Sequence, residues 1–114
     1  VLAKGDYAPS TMYSSGSAIL VQSVSQDKTA IGYTGVAYAK ERSDVKIIPV
    51  AKDDNSLPYL PDKEHVKSGA YPIARSLNFY TNGGPAGDAK AFVDFVLGIE
   101  GQAIVEKIGY FRVG

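Results

Sequence analysis

Apolar positions along the chain alternate between helical and strand-like periods, and the switches between them outline a series of short elements. Leu20, Val21 and Val24 fall at i, i+1 and i+4 behind Ser14-Ser15-Gly16-Ser17. This predicts a helix with one buried stripe, opened by a serine cap and ending near Asp27-Lys28. Ala30 to Thr34 then reads as a strand with Ile31 and Tyr33 on one face. Gly35 to Glu41 follows as a short helix or turn, its Val36, Ala37 and Tyr38 lying against the strand layer. Val45 to Val50 reads as a second strand. Pro49, which has no N–H, places that strand at an edge or at its own end.

The segment from Ala51 to Pro61 is polar and holds Pro58 and Pro61, so it is predicted to be a loop. Asp62 to Ser68 suits a short helix closed by Gly69. Ala74 to Thr81 alternates as a third strand, with Leu77, Phe79 and Thr81 on one face, and Asn82-Gly83-Gly84-Pro85 breaks it. The strongest periodicity follows. Ala89, Phe92, Val93, Val96 and Leu97 fill an apolar helical stripe. Gly98 interrupts it, and Glu100 to Ile108 forms a further helix with Ala103, Ile104 and Ile108 inward. Gly109 caps that helix, and Tyr110 to Val113 is extended. Helices between short strands make this an α/β chain. No repeat, low-complexity tract or linker divides it.

The 114 residues allow one small module, and a 45% apolar content gives it a modest core. Twelve basic and twelve acidic residues cancel and are well mixed, so no net field recruits nucleic acid or an anionic membrane. Zero cysteines remove thiolate metal sites, thiol catalysis and disulfides. His65 is the single histidine, which rules out a multi-histidine metal site within one chain. No cofactor is implied. The longest apolar run, Ala18 to Val21, is far too short to cross a bilayer. Val1-Leu2-Ala3-Lys4-Gly5 resembles the last turn of a helix closed by glycine and predicts structure before residue 1.

Four segments carry a family resemblance. They are Ser14-Ser15-Gly16-Ser17 running on to Ala30-Ile31-Gly32-Tyr33-Thr34-Gly35; Lys67-Ser68-Gly69-Ala70-Tyr71-Pro72-Ile73-Ala74-Arg75; Phe79-Tyr80-Thr81-Asn82-Gly83; and Ala91 to Leu97 followed by Glu100 to Tyr110. In this order and spacing they resemble the C-terminal portion of periplasmic phosphate-binding proteins, the solute receptors of bacterial phosphate ABC importers. The resemblance covers nearly the whole chain and is least typical over residues 51–63.

That resemblance implies a partial type 2 periplasmic-binding-protein fold. Residues 1–73 would belong to the second lobe, 74–81 to a hinge-crossing strand, and 82–114 to C-terminal helices packing on the first lobe. It also implies inorganic phosphate as ligand, a membrane permease as partner of the complete protein, and export to the periplasm. In the family a Ser-Gly-Thr turn opening a helix holds the anion at free N–H groups. By the resemblance that turn lies just upstream of residue 1, so most of the phosphate ligands fall outside the chain.

Within the chain, Ser14, Ser15, Gly16 and Ser17 are the one segment with anion-site chemistry, and they are either cleft residues or an ordinary helix cap. Arg75 is either an anion ligand or one half of a surface ion pair. His65 reads as solvated, Asp53, Asp54 and Asp62 as loop solubility, and Asn82 to Gly87 as a connection without a phosphate-loop lysine. The eight tyrosines are scattered over several elements. No nucleophile–base pair is legible, so the chain reads as a non-enzymatic binding module. The second reading is a structural or interaction protein. Such a chain pairs with an N-terminal companion chain or self-associates, as an oligomer or a fibre, through edges and faces left open by an incomplete lobe.

Overall fold

The computed structural model describes residues 5–114, and the helical turn expected over residues 1–4 lies outside them. The chain forms two compact units, Val1–Ile73 and Ala74–Gly114.

In the first unit, helix α1 spans Ser17–Gln26. Its stripe behaves as the period predicts: Val21 is buried at 4% exposure, and Leu20 and Val24 are half-buried beside it. They close over Gly32. A Cβ built there would lie 2.9 Å from Leu20 Cδ2 and 3.2 Å from Val24 Cγ2, so a glycine at this point lets helix and following segment meet. The short helix or turn expected over residues 35–41 forms as a 3-10 turn, Val36–Tyr38, continued by a turn through residue 41. It packs on α1, and Arg42 ties the next loop to that helix. The Arg42 guanidinium pairs with Asp44 and donates to Gln22 Oε1 at 3.0 Å.

Helix α2, Lys63–Ser68, has the ends its sequence predicts. The Asp62 carboxylate accepts the His65 N–H at 2.9 Å, and Gly69 closes the helix in the left-handed region at φ 77°. Asp62 is held below the usual carboxylate range, chiefly by that backbone N–H.

In the second unit, α3 spans Gly87–Leu97 and α4 spans Ile99–Lys107, with Gly98 capping both at the corner between them. The two helices meet at Gly101 and Gln102, and of the expected α3 stripe only Val93 and Val96 are half-buried. Gly101 and Gln102 are the buried residues of α4, while Phe92, Leu97, Ile104 and Ile108 remain more than half or about half exposed. A Cβ on Gly101 would sit 2.3 Å from the Phe95 carbonyl oxygen, so the corner admits only glycine. Gln102 donates through Nε2 to Val96 C=O at 2.8 Å and accepts the Val113 N–H at 2.9 Å. It thereby pins the extended C-terminal segment, which Arg112 also anchors to Glu106 at 2.7 Å.

The three expected strands, 30–34, 45–50 and 74–81, form no ladder among the described residues. One isolated antiparallel bridge joins Val50 and Tyr59, with reciprocal N–H···O bonds of 2.9 and 3.0 Å. The correction has a simple cause. Alternation predicts a side-chain pattern, whereas a strand also requires a neighbouring backbone to receive its hydrogen bonds. The segments at 30–34 and 74–81 carry the pattern and lack the neighbour.

Candidate functional site

Ser14, Ser15, Gly16 and Ser17 lie together at the start of α1. Gly16, not a serine, is the cap residue, and it makes no side-chain cap hydrogen bond. The expected serine cap is therefore corrected. The Ser14 hydroxyl turns back on its own loop, donating to Gly16 C=O at 2.9 Å. It also meets the Gly16 N–H at 3.4 Å. A hydroxyl engaged so close in sequence cannot reach the second or third helical N–H. Ser15 is exposed and Ser17 is the first residue of the helix.

The other candidates resolve toward local structure. Arg75 is exposed and pairs with no carboxylate among the described residues, so the expected surface ion pair is absent there. Asp53 organises its own loop. Its Oδ1 accepts from the Ser56 hydroxyl at 2.7 Å and the Asn55 N–H at 3.0 Å, and these bonds hold its pKa below the ordinary value. Asp27 does the same at the end of α1 with the hydroxyl and N–H of Thr29. Residues 82–86 connect to α3 as an exposed turn, with the Thr81 hydroxyl donating to Gly83 C=O. Among the described residues no group of three or more His, Asp or Glu side chains is placed to hold a metal ion.

Two clusters escape the sequence reading. His65 is not merely solvated: its Nδ1 lies 2.7 Å from Asp62 Oδ2, and its ring packs on Tyr59 at 4.6 Å between centroids. The i, i+3 spacing of Asp62 and His65 was the available signal. Tyr59 also borders a shallow concavity of about 390 Å³ lined with Lys52, Ser56, Leu57, Gly69 and Ala70. Nothing in its lining converges on one ligand type.

The second cluster gathers tyrosines far apart in sequence. Tyr7 and Tyr33 stack at 6.4 Å with their planes 19° apart, and Tyr13 meets Tyr7 edge-on at 5.8 Å. The Tyr7 and Tyr33 hydroxyls are hydrogen-bonded to each other, and that bond raises the Tyr7 pKa. No spacing rule could have found it.

Comparisons with known proteins agree with the segments that carry the resemblance. Residues 3–100 match the family described as PBP superfamily domain. The phosphate-binding protein PstS of Pseudomonas aeruginosa is 35% identical over 113 residues, covering 96% of this chain and 34% of the relative. Protein SphX of Synechocystis is 41% identical over 105 residues, 88% of this chain and 30% of the relative. The phosphate-binding protein PstS 2 of Streptococcus agalactiae is 34% identical over 93 residues, 81% of this chain and 29% of the relative. The chain thus spans about a third of the length of the curated relatives it matches.

Proposed function

The chain belongs to the PBP superfamily, and we propose that it forms part of an exported phosphate receptor that delivers inorganic phosphate to the permease of an ABC importer. The observation that carries this reading is its 34–35% identity to two proteins named as phosphate-binding, extending over most of its own length. The module is read as a binding element because the relatives it matches are named as phosphate-binding proteins.

In this reading the chain contributes α/β material to a two-lobed fold. Residues 1–73 lie in the second lobe, 74–81 cross the hinge, and 82–114 supply C-terminal helices. The division of the chain between Ile73 and Ala74 supports placing the crossing there. The unladdered segments at 30–34 and 74–81 are then strands whose neighbours come from the rest of the receptor. Ser14 to Ser17 line the cleft as secondary anion contacts, and lobe closure around the ion is driven by its tighter binding to the closed state.

Isothermal titration tests this directly. The isolated chain gives no phosphate heat, because the principal ligands are supplied by the remainder of the receptor. The longer protein containing it binds phosphate in preference to sulfate. Micromolar phosphate binding by the chain alone, or no preference in the longer protein, overturns the reading.

A second reading, in which the chain assembles with a companion polypeptide or with itself, is favoured by its open apolar faces. Val21 is the one buried apolar side chain among the described residues, whereas Ile31 and Ile99 are 82% and 88% exposed. Unpaired apolar surface of this kind favours association. Light scattering of the isolated chain shows a larger species if this holds, and a stable monomer removes it.

A further inference from the structure

We propose that Tyr7 and Tyr33 form an oxidative cross-linking site, at which the two rings couple to dityrosine and staple together segments 26 positions apart. The proposal stands on geometry that the receptor reading does not use. The rings are nearly parallel, 19° apart, with centroids at 6.4 Å, and their hydroxyls are in direct contact. Both residues are exposed, so a diffusing oxidant reaches them.

Hydroxyl contact matters because of where a phenoxyl radical carries its unpaired electron. Spin density resides on the oxygen and on the ring carbons ortho and para to it, and the para carbon is blocked by the Cβ. Coupling therefore joins ortho carbons, which flank the carbon bearing the hydroxyl. Two hydroxyls in contact bring those carbons together, and holding reactants in place replaces a diffusive encounter with an intramolecular one.

Tyr13 has a ring nearer to Tyr7, at 5.8 Å, but stands edge-on at 87°. Its hydroxyl makes no contact with that of Tyr7, so the shorter centroid distance does not favour coupling. Tyr80 is 91% exposed and has no neighbouring tyrosine ring, which suits coupling only between separate chains. A chain with no cysteine has no disulfide route to such a staple.

The chemistry balances with hydrogen peroxide and a haem peroxidase as oxidant. Each phenol gives up one electron and its hydroxyl proton. The two radicals form one ortho carbon–carbon bond, and the two ring hydrogens at those carbons move to the oxygens, restoring both hydroxyls. The protein loses two hydrogens in all. One peroxide accepts two electrons and two protons and becomes two waters.

The test oxidises the full chain at high dilution with peroxide and a haem peroxidase, then maps the products by peptide mass spectrometry and dityrosine fluorescence. The expected product is a monomer with one cross-linked peptide pair, containing Tyr7 and Tyr33 and lighter by two hydrogens than the two peptides together. Tyr7→Phe and Tyr33→Phe each abolish it, while Tyr80→Phe leaves it unchanged. Met12, 91% exposed, serves as an internal control, because its sulfoxide adds an oxygen and reports that oxidant was present. Methionine sulfoxide without a Tyr7–Tyr33 link overturns the proposal. So does a dominant Tyr7–Tyr13 link, or coupling that persists in both phenylalanine variants.

Discussion

Helix α1 and the α3–α4 pair start from the same sequence signal and use it in opposite ways. In α1 the apolar stripe turns inward: Val21 is buried, and Leu20 and Val24 press on Gly32. In the second unit no stripe residue is fully buried, though Val93 and Val96 are half-buried, and the helices meet through Gly101 and the amide of Gln102, itself only 8% exposed. A periodic stripe specifies which face is apolar and is silent on whether anything lies against it. In the first unit the covering segment follows within a few residues of the helix. In the second, the helix corner is too tight for the stripes to face one another, and close backbone approach decides the packing.

Substitutions separate the two modes, with the corner the most sensitive place. Gly101→Ala places a Cβ 2.5 Å from Val96 Cα as well as against the Phe95 carbonyl, and backbone cannot swing aside as a side chain can. Destabilisation of about 3 kcal/mol, at the upper end for overpacking, is expected in urea unfolding. A near-neutral result would mean that the corner is looser than the glycine indicates. Val21→Ala removes the one buried apolar contact of α1 and should cost roughly 2 kcal/mol, visible as loss of far-ultraviolet helicity on milder heating.

Gln102→Leu keeps the volume and strips both hydrogen bonds, leaving Val113 N–H and Val96 C=O without their partner. The expected cost is about 1–2 kcal/mol, with hydrogen exchange at Val113 accelerated before any global change. Unchanged exchange there would show that the Arg112–Glu106 pair holds the segment unaided.

A smaller, local effect comes from pH. The Asp62 pKa is depressed in the folded chain, so its contribution to α2 is present above the ordinary aspartate value of about 3.9. It is lost as pH falls through the lower folded value. Acid titration followed at the His65 amide should show α2 fraying in that range, and Asp62→Asn should abolish the transition. The least effect belongs to Ile104→Ser, which alters a half-exposed position and should stay within about 0.5 kcal/mol. A large loss would place Ile104 in a packed surface and erase the contrast with Val21.

The helices were legible because their signals are local. Asp62 and Gly69 bound α2, Gly98 separates α3 from α4, and the period of Phe92, Val93 and Val96 runs through the length of α3. Strands were not, since Ile31 and Tyr33 alternate correctly and yet meet no neighbouring backbone. The candidate anion segment was legible as residue types at a helix start. Its hydrogen bonds were not, because whether Ser14 serves the helix or its own loop depends on backbone angles at Gly16 (φ −169°, ψ 157°) that composition does not encode.

By itself, then, the sequence determined the helix positions, the charge balance, the freedom from cysteine and the ordered segments that place the chain among PBP relatives. Each rests on residues near one another or on residue identity alone. Tertiary structure decided which apolar faces are covered, that Gly101 and Gln102 rather than Ile104 form the α4 contact, and that Tyr7 and Tyr33 share a hydrogen bond. Those outcomes depend on distances between residues remote in the chain, and no local period carries them.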